Sequence, residues 1–277
     1  PRGVAVESPI HLVFLSGPGS DPALWYARTL VVAERGASAA VVESYQAVGE
    51  GVYLTNAVSE LIVGEGARLD HYRIQRESDR AYHVATTQSH QDRDSVLRSC
   101  TVALGSALSR HDVNAVLDGT GGELTLNGLS FLSGRQHVDH HTTIEHAQPH
   151  CASREVFNGI FDDHARGVFN GRIIVRPGAQ RTDSKQTNNN VLLSEDARAD
   201  SQPQLEIYAD DVKCTHGATL GPLDENAVFY LKSRGLGDAE SRRLLTYGFT
   251  AEILAQVRVA EVREHLDQLI RARLTVA

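Results

Sequence analysis

A short phrase recurs along this chain and constrains the fold more than any other feature. Two or three apolar residues are followed by a polar turn and a small residue, and the small residues Ala179, Ala197 and Ala218 follow one another at a spacing of about 20 residues. Strand, turn and strand at such a period are typical of a β-solenoid, whose rungs stack on one another. A β-sandwich would contain similar strands, so the pattern favours the solenoid without excluding the sandwich. The phrase occurs as VVAERGA at 31–37, LIVGEGA at 61–67, IIVRPGA at 173–179 and VLLSEDA at 191–197.

The pattern changes after Pro222, where helical spacing replaces the strands. Asp224 is suited to cap the amino end of a first helix, and Gly235 is suited to end it. We therefore predict a mainly β core over residues 1–221 and a C-terminal helical domain over 222–277, whose helices close the end of the solenoid. Two further helices are predicted from apolar stripes that comprise Leu244, Leu245, Phe249, Ile253 and Leu254, and then Val262, Leu266 and Leu269.

The charge and the apolar runs exclude two classes of partner. The chain carries 27 Lys and Arg against 35 Asp and Glu, a net charge of −8, and no basic run is long enough to grip phosphates, so we expect no nucleic-acid partner. The longest apolar runs are too short to cross a bilayer, so no membrane insertion is expected. The three widely spaced cysteines, Cys100, Cys151 and Cys214, argue against a disulfide framework and predict a cytoplasmic location.

Motifs of several enzyme classes do not occur in this sequence. The phosphate-binding GxxxxGK[ST] loop, the GxSxG nucleophile motif and the HExxH zinc motif are all missing. The sequence also has no CxxC pair, so the chain alone does not offer the usual thiolate spacing for an iron–sulfur cluster.

A histidine-rich stretch, HVDHHTTIEHAQPHC at 137–151, has two interpretations. On a strand, His137, Asp139 and His141 share one face and His140 lies on the other. These residue types could form a metal site. They could equally form a row of side chains that stack and hydrogen-bond between rungs, and alternation between faces favours this second interpretation.

The stretch EIYADDVKCTHGATLG at 206–221 combines a thiol and an imidazole two residues apart. Val212, Cys214 and His216 share one face of a predicted strand. Cys214 could be a small buried hydrophobe and His216 a core imidazole. A single C-x-H pattern does not by itself distinguish such packing from a site.

Three long segments resemble the core of the SufB/SufD family, the scaffold proteins of the SUF iron–sulfur cluster assembly system. They are HVDHHTTIEHAQPHCASRE, ARGVFNGRIIVRPGAQRTDSKQTNNNVLLSEDA and PQLEIYADDVKCTHGATLGPLDENAVFYLKSRG. The sequence is more similar to the SufD branch, because Leu231 stands where SufB carries a cysteine and DDVKC-x-HGAT matches the SufD signature. Family members begin with a helical N-terminal domain, which we expect to be absent from this chain.

The resemblance implies a right-handed parallel β-helix with a C-terminal helical domain, acting as a non-enzymatic scaffold. It implies pairing with a SufB-like subunit through the β-helix and a possible homodimer when the chain is isolated. His216 is then the candidate ligand for iron or for a transient cluster in the complex, placed at a strand-to-turn junction near the end of the solenoid. Cys214 is a weaker second candidate, which we expect to be chiefly structural, and no cofactor is expected to be bound stably by the isolated chain.

The resemblance also implies that a SufC-like ATPase docks on the C-terminal helices, which accounts for the missing phosphate-binding loop. The residues predicted to form that surface are Asp224, Phe229, Tyr230, Arg234, Leu245 and Phe249.

Two other classes of function stay open at the level of sequence. Many β-solenoids are enzymes that act on polysaccharides, although 6% aromatic residues and a single Trp25 are few for a sugar-binding groove. A purely structural interaction protein is the third possibility.

Overall fold

The computed structural model describes residues 1–17 and 23–276, and this part of the chain contains fifteen strands and three helices. The strands are β1 (Ile10–Ser16), β2 (Ala23–Ala33), β3 (Ser38–Ala47), β4 (Tyr53–Val63), β5 (Arg68–Arg76), β6 (Tyr82–Gln91), β7 (Val96–Ala103), β8 (Leu108–Leu117), β9 (Glu123–Leu132), β10 (His137–His146), β11 (Ala152–Phe161), β12 (Arg166–Val175), β13 (Asp183–Leu192), β14 (Arg198–Ile207) and β15 (Lys213–Gly221). The helices are α1 (Glu225–Ser233), α2 (Asp238–Leu254) and α3 (Ala260–Val276).

The strands form two parallel sheets that enclose one interior. The odd-numbered strands pair in the order β1-β3-β5-β7-β9-β11-β13-β15 (sheet A), and the even-numbered strands pair in the order β14-β12-β10-β8-β6-β4-β2 (sheet B). Each rung therefore gives one strand to each sheet. This arrangement confirms the predicted β-solenoid and excludes the sandwich, whose sheets would be antiparallel.

The rungs are longer than the sequence pattern predicted. Ile144 pairs with Ile173 in sheet B, and Val31 pairs with Leu61, so one turn takes about 30 residues and the predicted period of about 20 is wrong. Ala179 follows a strand of sheet B and Ala197 follows a strand of sheet A. Their spacing is therefore the number of residues between two consecutive corners, which is half a turn of the solenoid.

Glycine is favoured at one position of the recurring turn. Gly36 and Gly66 occupy equivalent corners after β2 and β4, with φ of 68° and 63°. A side chain at such a left-handed backbone conformation is disfavoured, whereas glycine adopts it freely. These glycines let the chain turn sharply from one sheet into the other.

The interior of the solenoid, called the lumen below, is lined by alternate residues of every strand. In β10, for example, every second residue from Val138 to His146 is buried, as period-2 geometry requires. Aliphatic and small side chains such as Leu61, Leu69 and Leu117 form one continuous core along part of the lumen. Polar side chains occupy the remaining lumen positions.

The helices lie against the outer face of sheet A and do not close the end of the solenoid as the sequence pattern had predicted. Ile253 and Leu254 of α2 and Leu266 and Ile270 of α3 share a core with this face. The strands beneath them carry apolar side chains on their outer face in addition to the buried residues of their inner face, so the outer face also has to be covered. The apolar side chains of sheet A in this second core are Val42, Tyr72, Ile74, Cys100, Val102, Leu129, Phe131 and Ile160.

Polar contacts fix the helices on sheet A. The backbone N–H of Arg258 donates to the hydroxyl of Tyr72 at 3.1 Å, and Nη2 of Arg273 donates to Oε1 of Gln136 at 2.9 Å. Among the described residues, no helix is both long enough and apolar enough to cross a membrane.

Candidate functional site

His216 lies in the middle of β15, the terminal strand of sheet A. The expected position at a strand-to-turn junction is therefore wrong, because β15 continues to Gly221. Its side chain is exposed for a different reason: within the described chain, β15 pairs with β13 alone. A partner can reach His216 because no further rung stacks on it.

The last rung, formed by β14 and β15, leaves one end of the solenoid open. Both strands are edge strands, so one row of backbone N–H and C=O groups on each faces away from the rest of the sheet. Apolar side chains accompany them: Ile207, Tyr208 and Leu220 are 40%, 58% and 54% exposed. We call this surface, with His216 within it, the open end.

Cys214 is on the same face of β15 as His216 but is half-buried. It packs against the core of the lumen together with Val212, which precedes β15. Burial raises the pKa of the Cys214 thiol, which disfavours the thiolate that metal binding and nucleophilic attack require.

Two polar residues stack beneath His216 in the preceding rungs. Gln186 of β13 pairs in register with His216, and Glu155 of β11 pairs with Gln186. Nε2 of Gln186 donates to Oε2 of Glu155 at 2.6 Å. Both residues are fully buried, and burial raises the pKa of Glu155 to about 7 although its hydrogen bond with Gln186 opposes this shift.

The histidine-rich stretch is divided between the two faces of β10. His137, Asp139 and His141 point outward, and His141 Nε2 lies 2.8 Å from Asp139 Oδ1. His140 and His146 point into the lumen, with their Nε2 atoms 3.1 Å from the Ser130 hydroxyl and 2.9 Å from the Ser153 hydroxyl. Throughout the described residues there is no group of three or more His, Cys, Asp or Glu side chains that could hold a metal ion.

A buried charged network fills the lumen of the first rungs, and the sequence analysis missed it. Arg73 contacts His83, which contacts Glu77, while Nε2 of His71 lies 3.8 Å from Oε1 of Glu43. The sequence does contain a signal for this network. His71, Arg73 and Gln75 are every second residue of β5 and lie on the same face of the strand as the core residue Leu69. Polar residues in phase with a core position indicate a polar lumen.

The residues predicted to bind an ATPase subunit differ in their exposure. Phe229 and Tyr230 of α1 are 72% and 56% exposed, and the Arg234 guanidinium lies 5.1 Å from the centroid of the Tyr230 ring. Asp224 caps α1, because the Asn226 backbone N–H donates to its Oδ1 at 2.9 Å.

Two further residues predicted for that surface lie on α2. Leu245 is half-buried, and Phe249 packs against the core between the helices and sheet A. The aromatic pair on α1 is therefore more exposed than the two apolar residues predicted on α2.

Known proteins resemble this chain over almost its whole length. The model of a family described as SUF system FeS cluster assembly, SufBD core domain, matches residues 14–249. The chain is 39% identical, over 281 residues, to an iron–sulfur cluster assembly SufBD family protein of Synechocystis, covering 99% of this chain and 62% of that protein.

Two relatives are named iron–sulfur cluster assembly protein SufD. The protein of Escherichia coli is 36% identical over 249 residues, covering 90% of this chain and 58% of its own length. The protein of Bacillus subtilis is 29% identical over 278 residues, covering 99% of this chain and 63% of its own length. The chain thus spans about three fifths of the length of these relatives.

Proposed function

Because this chain belongs to the SufB/SufD family of iron–sulfur cluster assembly proteins and is homologous to proteins named SufD, we propose that it is a scaffold subunit without ATPase activity of its own. Its open end pairs with the corresponding end of a SufB-like subunit. An iron–sulfur cluster is assembled between the two chains as cargo, with His216 as one ligand. A SufC-like ATPase binds to the helical segment.

The observation that carries this proposal is the exposed imidazole on a terminal strand whose outer edge is unpaired. His216 stands on β15, whose outer edge is free to receive a strand or loop of another chain. Within the described residues His216 is not part of a complete metal site. A cluster held there needs ligands from a partner, which fits an interfacial site better than a site within one chain.

The chemistry of one imidazole suits transient binding. Imidazole nitrogen is a competent ligand for iron, and a neutral ligand leaves the cluster less negatively charged than a fourth thiolate would. A cluster that must later be transferred is better held by such a mixed ligand set. The thiolates and the sulfur come from the SufB-like partner in this proposal.

The ATPase surface is proposed on α1. Phe229 and Tyr230 present an exposed aromatic face, and aromatic residues with a neighbouring arginine are common anchors of protein interfaces. Here the arginine is Arg234, which lies over the Tyr230 ring. Leu245 and Phe249 of α2 are left out of this proposed surface, because both are partly buried.

No specific observation favours a polysaccharide-cleaving solenoid. Several carboxylates on the outer faces are bonded to arginines, for example Asp139 to Arg110 at 2.7 Å and Asp200 to Arg166 at 2.6 Å. A pair of free acids in a cleft, which glycoside hydrolysis requires, is a different arrangement.

The test is anaerobic cluster reconstitution with the complete protein and its SufB-like and SufC-like partners. His216→Ala should leave the complex intact and lower the yield of cluster absorbance at least about tenfold. Cys214→Ala should cost about 1 kcal/mol of stability through lost packing and keep most of the yield. His90→Ala, a histidine on the outer face of sheet B, is the matched control. Full cluster yield with His216→Ala, or loss of assembly in a folded Cys214→Ala complex, would show the assignment to be wrong.

A further inference from the structure

One lumen column ends at the proposed iron ligand. Glu155, Gln186 and His216 occupy the same inward-facing position in three successive rungs of sheet A. Neighbouring strands lie roughly 4.8 Å apart, so these side chains stack directly on one another. The first two are fully buried, and the third is exposed because the solenoid ends there.

Gln186 carries an unused hydrogen-bond acceptor in this column. Its Nε2 donates to Glu155 in the rung before it, whereas its Oε1 is buried and has no hydrogen-bond partner among the described residues. The oxygen and nitrogen of an amide diverge from one planar carbon, so an amide whose N–H faces one rung can offer its oxygen to the next. The next rung is β15, and its residue in register is His216.

The position of the Gln186 amide is fixed by its surroundings. Opposite it, in sheet B, stands Gly171, where a Cβ atom would come within 2.3 Å of Gln186 Nε2. The absent side chain provides the space that the amide occupies. Glu155 anchors the same amide from the other side. An unpaired buried acceptor is destabilising, which favours any rearrangement that gives Oε1 a donor.

Histidines that bind metals usually donate their second ring N–H to a carboxylate or a carbonyl oxygen, which fixes the tautomer and the orientation of the ring. We propose that Gln186, held by Glu155, is the positioning residue for His216: its Oε1 accepts one ring N–H of His216 and directs the other ring nitrogen to the iron. This inference rests on the proposed role of His216. Gln186 itself touches no iron.

The contact forms when the open end is covered. In the chain alone the imidazole is exposed to solvent and is not hydrogen-bonded to Gln186 within the described structure. A docked partner displaces the water that hydrogen-bonds to the His216 ring. The buried Oε1 of Gln186 is then the acceptor within the same chain that the ring N–H can reach. Rotation of the His216 side chain toward the lumen joins the two groups.

The experiment measures the affinity of the assembled complex for Fe(II), titrated anaerobically, in variants of the complete protein. Gln186→Leu keeps the size of the side chain and removes the acceptor, and it should weaken Fe(II) binding about 10- to 100-fold. The exchange Glu155→Gln with Gln186→Glu restores an acceptor beneath His216 and should recover affinity to within a few fold. Gln91→Leu, which removes another buried lumen amide on β6, is the control.

A structural role and a positioning role give different results. Both leucine variants should lower the melting temperature, but only Gln186→Leu should change Fe(II) affinity, and it should have no further effect when His216 is already alanine. If His216→Ala weakens Fe(II) binding and Gln186→Leu behaves like Gln91→Leu, the positioning role is wrong and the proposed function stands. If His216→Ala leaves Fe(II) affinity unchanged, the proposed function itself fails.

Discussion

Ionisable side chains within the lumen differ in what compensates their burial. Burial would raise the pKa of Glu43, but His71 and Arg73 outweigh it and hold the pKa at about 2. Burial, with the nearby Arg73 charge, lowers the pKa of His83 to about 4. Glu155 has an amide as its hydrogen-bond partner, so burial prevails and raises its pKa to about 7. Glu155 is therefore the lumen carboxyl whose charge changes near neutral pH.

The first prediction concerns the pH dependence of stability. A carboxyl whose pKa is higher in the folded than in the unfolded state binds a proton preferentially in the folded state. Its stabilising contribution is fully present below about pH 4.5 and is lost as the pH rises through about 7. Between pH 5.5 and pH 8 this loss is about 2 kcal/mol, taking one pKa unit as about 1.4 kcal/mol. The free energy of unfolding of Glu155→Gln, measured relative to the native chain, should therefore be about 2 kcal/mol higher at pH 8 than at pH 5.5.

Urea unfolding of both proteins at the two pH values measures this difference. Glu43→Gln is the control, and its effect should not depend on pH. The low pKa of Glu43 means that this carboxylate is charged at both pH values. The substitution should destabilise the chain by a similar amount at pH 5.5 and at pH 8. An equal stability difference for Glu155→Gln at both pH values would contradict the prediction.

At the level of elements, the sequence predicted strands and helices better than it predicted their arrangement. Strand alternation and the change after Pro222 are local patterns, and the structure has β15 end at Gly221 and α1 begin at Glu225. The length of a rung is not local, because each turn contains two corners of similar sequence. The position of the helices was also missed, since the apolar outer face of sheet A is formed by five strands distant in sequence.

The helices are part of the core, which changes how ATPase binding should be tested. Removing everything after residue 221 would expose Tyr72, Ile74 and Phe131 on the outer face of sheet A. Each such side chain contributes roughly 1.5–3 kcal/mol when buried, so a truncated chain would lose stability together with the binding surface. Substitutions on α1 separate the two effects.

The second prediction is that Phe229→Ser combined with Tyr230→Ser abolishes binding of the SufC-like ATPase. Both side chains are mostly exposed, so the free energy of unfolding should change by less than about 0.5 kcal/mol. The reason for the loss is that exposed aromatic anchors supply much of the energy of an interface. Calorimetric titration of the ATPase into the complete protein measures the affinity.

Leu244→Ser on α2, another exposed apolar residue, is the control for a general loss of surface hydrophobicity. Pairing with the SufB-like subunit should be unchanged in both the double variant and Leu244→Ser, because the open end is untouched. Undiminished ATPase binding by the α1 double variant would place the docking surface elsewhere on the helices.

On the scale of the whole molecule, the candidate site depends on register across rungs. Glu155, Gln186 and His216 are 31 and 30 residues apart and meet because three rungs stack in register. Resemblance to a family could single out His216 from its flanking motif. It could not single out Gln186 and Glu155, because their relation to His216 exists only once the length of each rung is known.

The last prediction concerns self-association of the isolated chain. The open end combines two edge strands with exposed apolar residues, a surface that self-associates readily. A two-fold contact would bring the same surface of two copies together, and we expect a dimer whose formation depends on concentration. Leu220→Glu places a charge on this surface and should weaken the dimer at least about tenfold, or about 1.4 kcal/mol, as measured by light scattering over a concentration series. Leu24→Glu on β2, at the opposite end of sheet B and similarly exposed, should leave the dimer intact. A native chain that stays monomeric at every concentration, or a dimer that Leu24→Glu disrupts and Leu220→Glu does not, would show that the open end is not the self-association surface.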